Sequence, residues 1–227
     1  MIPIRDDQPT FGSPALTYFL IAFNLLIFLF ETTLTREGRN DLYARFALIP
    51  NHVALGPLGH RGAWTVAVFT IFTAMFLHSG WAHVVWNMGA LWVFGDNIED
   101  HLGRIPYLFF YLACGLGAAA FHLLFNWRSS IPTVGASGAI AGVMGAYLLL
   151  YPRARVLFFF LALPAWVVLG FWIVVQLLSG VAESVLAKGP GTSGGIAIWA
   201  HVGGFVAGMI LIKLLPERKG RYRYGTW

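Results

Sequence analysis

Ser137 and His201 bring the two groups that acyl transfer needs into an otherwise apolar chain. Ser137 stands in Gly135-Ala136-Ser137-Gly138, at the first turn of a short apolar run, and His201 lies about five residues inside the last apolar run. A hydroxyl within reach of an imidazole offers a nucleophile and a general base. The flanking glycines leave the hydroxyl unshielded, and amides free at a helix start can donate to a developing oxyanion. Alone, the serine motif reads as helix packing, because Gly138/Gly142 and Ala141/Gly145 are small-xxx-small pairs of the kind that seat membrane helices together. His201 changes that reading, since an ionisable residue inside an apolar span is costly and marks a functional site by default. Gly204 and Gly208 add a glycine stripe to the face of His201, so two helices can approach closely enough for a Ser137–His201 hydrogen bond.

A second polar group, His78, His83 and Asn87, lies in the second apolar run. His83 and Asn87 share a helical face at i, i+4 spacing, and their donors can complete an oxyanion hole beside the Ser137 amide. A metal is the rival reading of these histidines. There is no His-Glu-x-x-His motif, and no carboxylate stands in the same half of a span, so no metal site and no cofactor is expected. Cys114, the single cysteine, can form neither a disulfide within the chain nor a thiolate cluster. Glu31, Asp96, Glu99, Asp100 and Glu183 stand at span ends, and none is placed to orient His201, so the site reads as a dyad rather than a triad. Asp96, Glu99 and Asp100, with Arg104, read as an interfacial charge cluster holding the loop after the second span.

Positioning these residues falls to helices in lipid. Of the 227 residues 58% are hydrophobic and 11% charged, and the mean hydropathy is +0.69. Polar residues are too few to cover a water-soluble domain of this size. Apolar runs extend from about Pro14 to Phe30, Thr70 to Phe94, Ile105 to Phe125, Ala136 to Leu150, Val156 to Leu178 and Ile196 to Leu215. The expected fold is an all-α polytopic membrane protein of six transmembrane helices. The fourth run offers about 15 residues, or roughly 22 Å of helix, too short to cross alone. Arg128 to Gly135, with Pro132, cannot be helical throughout, so non-helical backbone reaches membrane depth where Ser137 stands.

Segments 1–13 and 216–227 are expected as an N-terminal segment and a basic tail, flanking a membrane domain at 14–215. Within it, 31–69 is an interfacial first loop of mixed aromatic, aliphatic and charged residues. The N-terminal stretch lacks the net positive charge of a cleaved leader, and no Ala-x-Ala site follows the first run, so that run is read as retained. With six crossings, nine Lys and Arg residues fall on one side, both termini included, and six on the other, which places both termini in the cytoplasm. The basic residues gather at the edges of apolar runs, which fits a lipid surface and not nucleic acid.

Several motifs fall in order along the chain: Phe76-Leu77-His78 with His83-x-x-x-Asn87, then Gly95, Glu99 and Leu102-Gly103-Arg104, then Gly135-Ala136-Ser137-Gly138, then Ala200-His201-Val202-Gly203-Gly204. In these the chain resembles the rhomboid family from Pro14 to Leu215. The resemblance implies a six-helix bundle whose short central helix carries the nucleophile Ser137, with His201 as base. It implies His83 and Asn87 as oxyanion donors with the Ser137 amide, His78 in a supporting place near the site opening, and Gly135, Gly138 and Gly204 in support. It further implies an intramembrane serine protease acting on single-span membrane proteins that enter laterally past the fifth span, between Trp166 and Trp172. Some relatives carry an aromatic residue four positions after the serine that stacks on the histidine. Here that position is Ala141; a nearby aromatic such as Phe205 could substitute, and what orients His201 is not legible in the sequence. The rival is a catalytically silent relative that binds membrane clients. The compact size and lack of a transit peptide point to a bacterial inner membrane. The oligomeric state is not legible.

Overall fold

The computed structural model describes residues 3–59, 63–158, 160–186 and 197–218. After a two-residue strand β1 (Arg5–Asp6), helix α1 runs over Ala15–Thr33. Helices α2 (Arg36–Phe46) and α3 (Pro50–Gly59) form the first loop, and α4 (Ala63–Thr73) leads through a 3₁₀ turn at Ala74–Phe76 to α5 (Trp81–Leu102). Next come α6 (Arg104–Asn126), α7 (Ser137–Leu150), strands β2 (Arg155–Phe158) and β3 (Leu161–Pro164), then α8 (Ala165–Leu186) and α9 (Ile198–Leu214).

Helix α7 is the axis of the bundle. Every residue from Gly138 to Tyr147 is buried, and α7 packs against α5, α6 and α9. A helix apolar on all sides belongs inside the protein rather than against water. By contrast α8 is largely open, with 17% of its most apolar stretch buried. Helices α1, α6 and α8 are long and apolar enough to cross a membrane, and α4 with α5 reach that standard as a pair bent by 90°.

Three expectations need correction. The second run is not one helix from Thr70 to Phe94. It breaks between Phe76 and Trp81, and Glu31 accepts the His78 backbone N–H at 3.1 Å inside the break. The fifth run does not begin at Val156 as helix. Val156 to Leu163 fold back as the antiparallel hairpin of β2 and β3, with Val156 opposite Leu163, and β1 adds a third strand with Arg5 opposite Leu157. The fold is therefore helical with one small sheet. Third, the acidic cluster does more than hold the loop after α5, where Arg104 Nε lies 3.9 Å from Glu99 Oε1. Helix α1 has no side-chain cap of its own, and Glu99 supplies one, accepting from Leu16 N–H at 3.0 Å, Thr17 N–H at 2.7 Å and the Thr17 hydroxyl at 2.8 Å. Asp100 accepts from Phe11 N–H at 3.2 Å. A carboxylate satisfies orphan amides and complements the helix dipole there.

The segment 31–69, expected as an interfacial first loop, carries the short helices α2 and α3, and Ala47, Leu48 and Ile49 after α2 are buried. Leu48 pairs with Thr133 through two backbone bonds of 3.1 and 2.8 Å, tying this loop to the segment before Ser137. The basic tail, expected from Arg218 onward, lies outside the described residues beyond Arg218.

Candidate active site

The N-terminal half of α7 meets α9 backbone to backbone. A Cβ on Gly204 would fall on the Gly138 carbonyl, and one on Gly208 would fall on the Gly142 carbonyl. At the open end of this contact Ser137 Oγ lies 2.8 Å from His201 Nε2. His201 is 8% exposed, and its other nitrogen, Nδ1, lies 2.8 Å from Gln176 Oε1 on α8. An amide oxygen only accepts, so this contact favours the ring form with its proton on Nδ1, whose Nε2 lone pair can accept the Ser137 hydroxyl. A serine so bonded to a neutral imidazole is set up to lose its proton as it attacks.

The ring beside His201 is that of Trp172, with centroids 5.7 Å apart and planes tilted by 39°. Phe205, a candidate for that place, packs instead on the Trp172 ring at 6.0 Å. Trp172 thus faces the site, whereas Trp166 is exposed.

On the other side of Ser137, Gly135 holds φ at +130° and donates its N–H to Ala74 O at 2.8 Å. Only glycine adopts that backbone readily. A Cβ there would stand 2.7 Å from His83 Nε2 and Cε1, so that edge of the His83 ring lies against the turn that delivers Ser137. His83 Nδ1 is 3.0 Å from Ser79 Oγ. One turn further along α5, Asn87 is buried, and its Nδ2 has no partner among the described residues. His78 is 1% exposed. Its ring touches those of His83 at 5.2 Å and Phe28 at 6.4 Å, which encloses it behind His83 rather than at a rim. A cavity of about 40 Å³ adjoins Ser137, lined by His122, Thr133, Ala118, Ala200 and Met75 among others. That volume accommodates water, and the His122–Thr133 pair, bonded at 3.1 Å, supplies polar partners. A larger cavity of about 480 Å³ lies between Gly12, Asp96, Arg104 and Arg218, away from Ser137 and without a nucleophile–base pair. Among the described residues no three His, Cys, Asp or Glu side chains converge as a metal requires.

A family profile described as the rhomboid domain matches residues 65–218, a stretch holding every residue just described except Phe28 and Gly12. The chain belongs to the rhomboid family. It is 31% identical to the rhomboid protease GluP of Bacillus subtilis over 137 residues, covering 60% of this chain and 25% of that protein. It is 30% identical to the mitochondrial Rhomboid protein 1 of Saccharomyces cerevisiae over 152 residues, 65% of this chain and 42% of that one. RHOMBOID-like protein 1 of Arabidopsis thaliana matches at 31% over 219 residues, 87% of this chain and 52% of the relative. The rhomboid chain thus spans from a quarter to about half the length of these relatives.

Proposed function

We propose that this rhomboid chain is an intramembrane serine endopeptidase working through a Ser137–His201 dyad. The observation that carries the reading is the 2.8 Å contact between Ser137 Oγ and His201 Nε2, made by an imidazole whose other nitrogen is already engaged. Ser137 attacks the scissile carbonyl as His201 Nε2 takes its proton. His201 returns that proton to the departing amine, and the resulting acyl-enzyme is hydrolysed by water that His201 deprotonates in turn. The Ser137 amide, His83 and Asn87 stabilise the oxyanion. The spare donor of Asn87 supports this role, because a buried unpaired amide calls for an explanation that a transient acceptor would give.

The substrates in this reading are single-span membrane proteins. A scissile bond must leave helical form to be attacked, so segments with Gly, Ala or Pro near a span end are favoured. They enter past α8, the least buried of the three long apolar helices. The membrane domain covers 14–215 and crosses six times, with α1, the bent α4–α5 pair, α6, α7, α8 and α9 as spans. An even number of crossings is supported by the segments flanking the domain, which meet at one end of α5, where Phe11 N–H bonds to Asp100 and Arg218 N–H to His101 O. Both termini are cytoplasmic in this reading, and the membrane is a bacterial inner membrane.

The test is labelling of the detergent-solubilised chain by a fluorescent fluorophosphonate, alongside Ser137→Ala and His201→Ala. Labelling of the wild type that both variants lose is the expected result. A folded wild type that stays unlabelled while a control protease reacts overturns the enzyme and favours the client-binding relative.

A further inference from the structure

His201 has two nitrogens and the reaction uses one. In the neutral ring, the proton on Nδ1 leaves Nε2 as a base, whereas the proton on Nε2 makes the same ring useless to Ser137. Something must choose between the two forms. In serine triads a carboxylate chooses, and it also steadies the imidazolium that forms. Among the carboxylates whose partners are described, Glu31 is engaged with the His78 amide, Glu99 with the start of α1, Asp100 with Phe11, Asp96 with Asn97, and Asp6 with Tyr147 and Asn97.

We propose that Gln176 is the positioning residue of this site, its amide oxygen fixing His201 in the form that carries its proton on Nδ1. The contact is direct, 2.8 Å from Nδ1 to Oε1, and joins two helices across 25 residues of sequence. Gln176 sits in a span that is otherwise apolar from Ala165 to Leu178, where a polar side chain is retained when it bonds across to another helix. A neutral amide suits this place. An amide fixes the proton without adding charge, whereas a carboxylate keeps the accepting oxygen at a desolvation cost to the fold. Trp172, one turn before Gln176, lies against the same imidazole, so α8 holds the ring from its face and from its far nitrogen together. That double hold from one helix takes the place of the aromatic that Ala141 lacks.

The rate consequence rests on the protease reading; the choice of ring form does not. The test uses the full chain in detergent with Gln176→Met, which keeps length and apolar bulk but no acceptor, and Gln176→Glu, which keeps an accepting oxygen. One readout is the rate of Ser137 labelling by a fluorophosphonate. The other is the ¹⁵N spectrum of histidine-labelled protein at pH 8, with the His201 signals identified by their loss in His201→Ala. The wild type is expected to show protonated Nδ1 and bare Nε2. Gln176→Met is expected to mix the two forms and label about 10- to 100-fold more slowly, the loss that a displaced catalytic group brings, at a melting temperature close to wild type. Gln176→Glu is expected to recover protonated Nδ1 and most of the rate. A Gln176→Met variant with an unchanged His201 spectrum and wild-type labelling overturns the proposal. So does a fall in rate that Gln176→Glu fails to recover while its fold is intact. A wild type that does not label, but whose His201 spectrum changes in Gln176→Met, upholds the positioning role and overturns the protease.

Discussion

Gly204 lies so close to Gly138 that the Gly138 carbonyl fills the place a Gly204 Cβ would take. Two rigid backbones meet there, and neither can rotate a side chain away. Gly204→Ala is therefore expected to cost about 1–3 kcal/mol of stability and to part Ser137 from His201, slowing fluorophosphonate labelling at least tenfold by the sensitivity of reaction to misplacement. Gly170→Ala, at a helical glycine with nothing within 4 Å of the added Cβ, is the matched comparison. It should leave the melting temperature equal or slightly raised, as helix propensity favours alanine.

The base and the oxyanion donors should separate in their effects. His201→Ala removes proton transfer and is expected to lower turnover about 10²- to 10⁴-fold. Asn87→Ala removes a donor that has no partner in the resting site, so it should lower turnover about 10²-fold or more with little change in thermal stability. Cleavage of a single-span test substrate, read beside a melting curve, checks both.

Glu99 is expected to matter to the fold and not to the chemistry. It accepts three hydrogen bonds from the first turn of α1. Glu99→Ala leaves those donors unmet at about 1–3 kcal/mol for each buried group so abandoned, and unfolding in a mixed-detergent series should shift accordingly. Thr17→Val, which removes one of the three bonds, is expected to shift it less.

Asp6 makes the N-terminal strand sensitive to rising pH. Burial pushes its carboxyl up to about 6, with Asp7 adding to the rise, although the Tyr147 hydroxyl donates to it and works the other way. Asn97 Nδ2 also donates to it at 3.1 Å, and Asp96 stands beside Asn97. A carboxyl held higher in the folded chain than in the unfolded one favours the fold while protonated. That contribution is complete below about pH 4 and is lost as pH rises through about 6. Melting temperatures between pH 4 and 7 should fall with this profile in wild type, and the slope should flatten in Asp6→Asn.

Ser137 and His201 were legible because each breaks a rule of its surroundings, the serine by opening a span too short to cross and the histidine by being ionisable in lipid. Gln176 breaks a similar rule more quietly. An uncharged amide in the fifth apolar run was a visible signal, but no periodicity links it to a residue 25 positions on. The hairpin of β2 and β3 was hidden because eight apolar residues in a row read the same in a span and in a strand. Pro152 and Pro164 were the available markers of its ends. The break before Trp81 was masked in the same way, with Ser79-Gly80 as its only punctuation. Glu99 could be placed near a helix end, yet which helix it capped depended on tertiary contact, and a sequence carries no direct record of that.

The anchoring of Phe11 on Asp100 and of Arg218 on His101 closes the bundle into a ring, because those two holders are neighbours on one helix. A ring can be cut elsewhere. A short linker joining Phe11 to Arg218 would permit circular permutation of the bundle between them, with new ends opened at Trp127–Arg128, where both residues are exposed. Donor and acceptor fluorophores attached beside Phe11 and Arg218 would sit within a few nanometres of each other and would part only when the whole bundle opens.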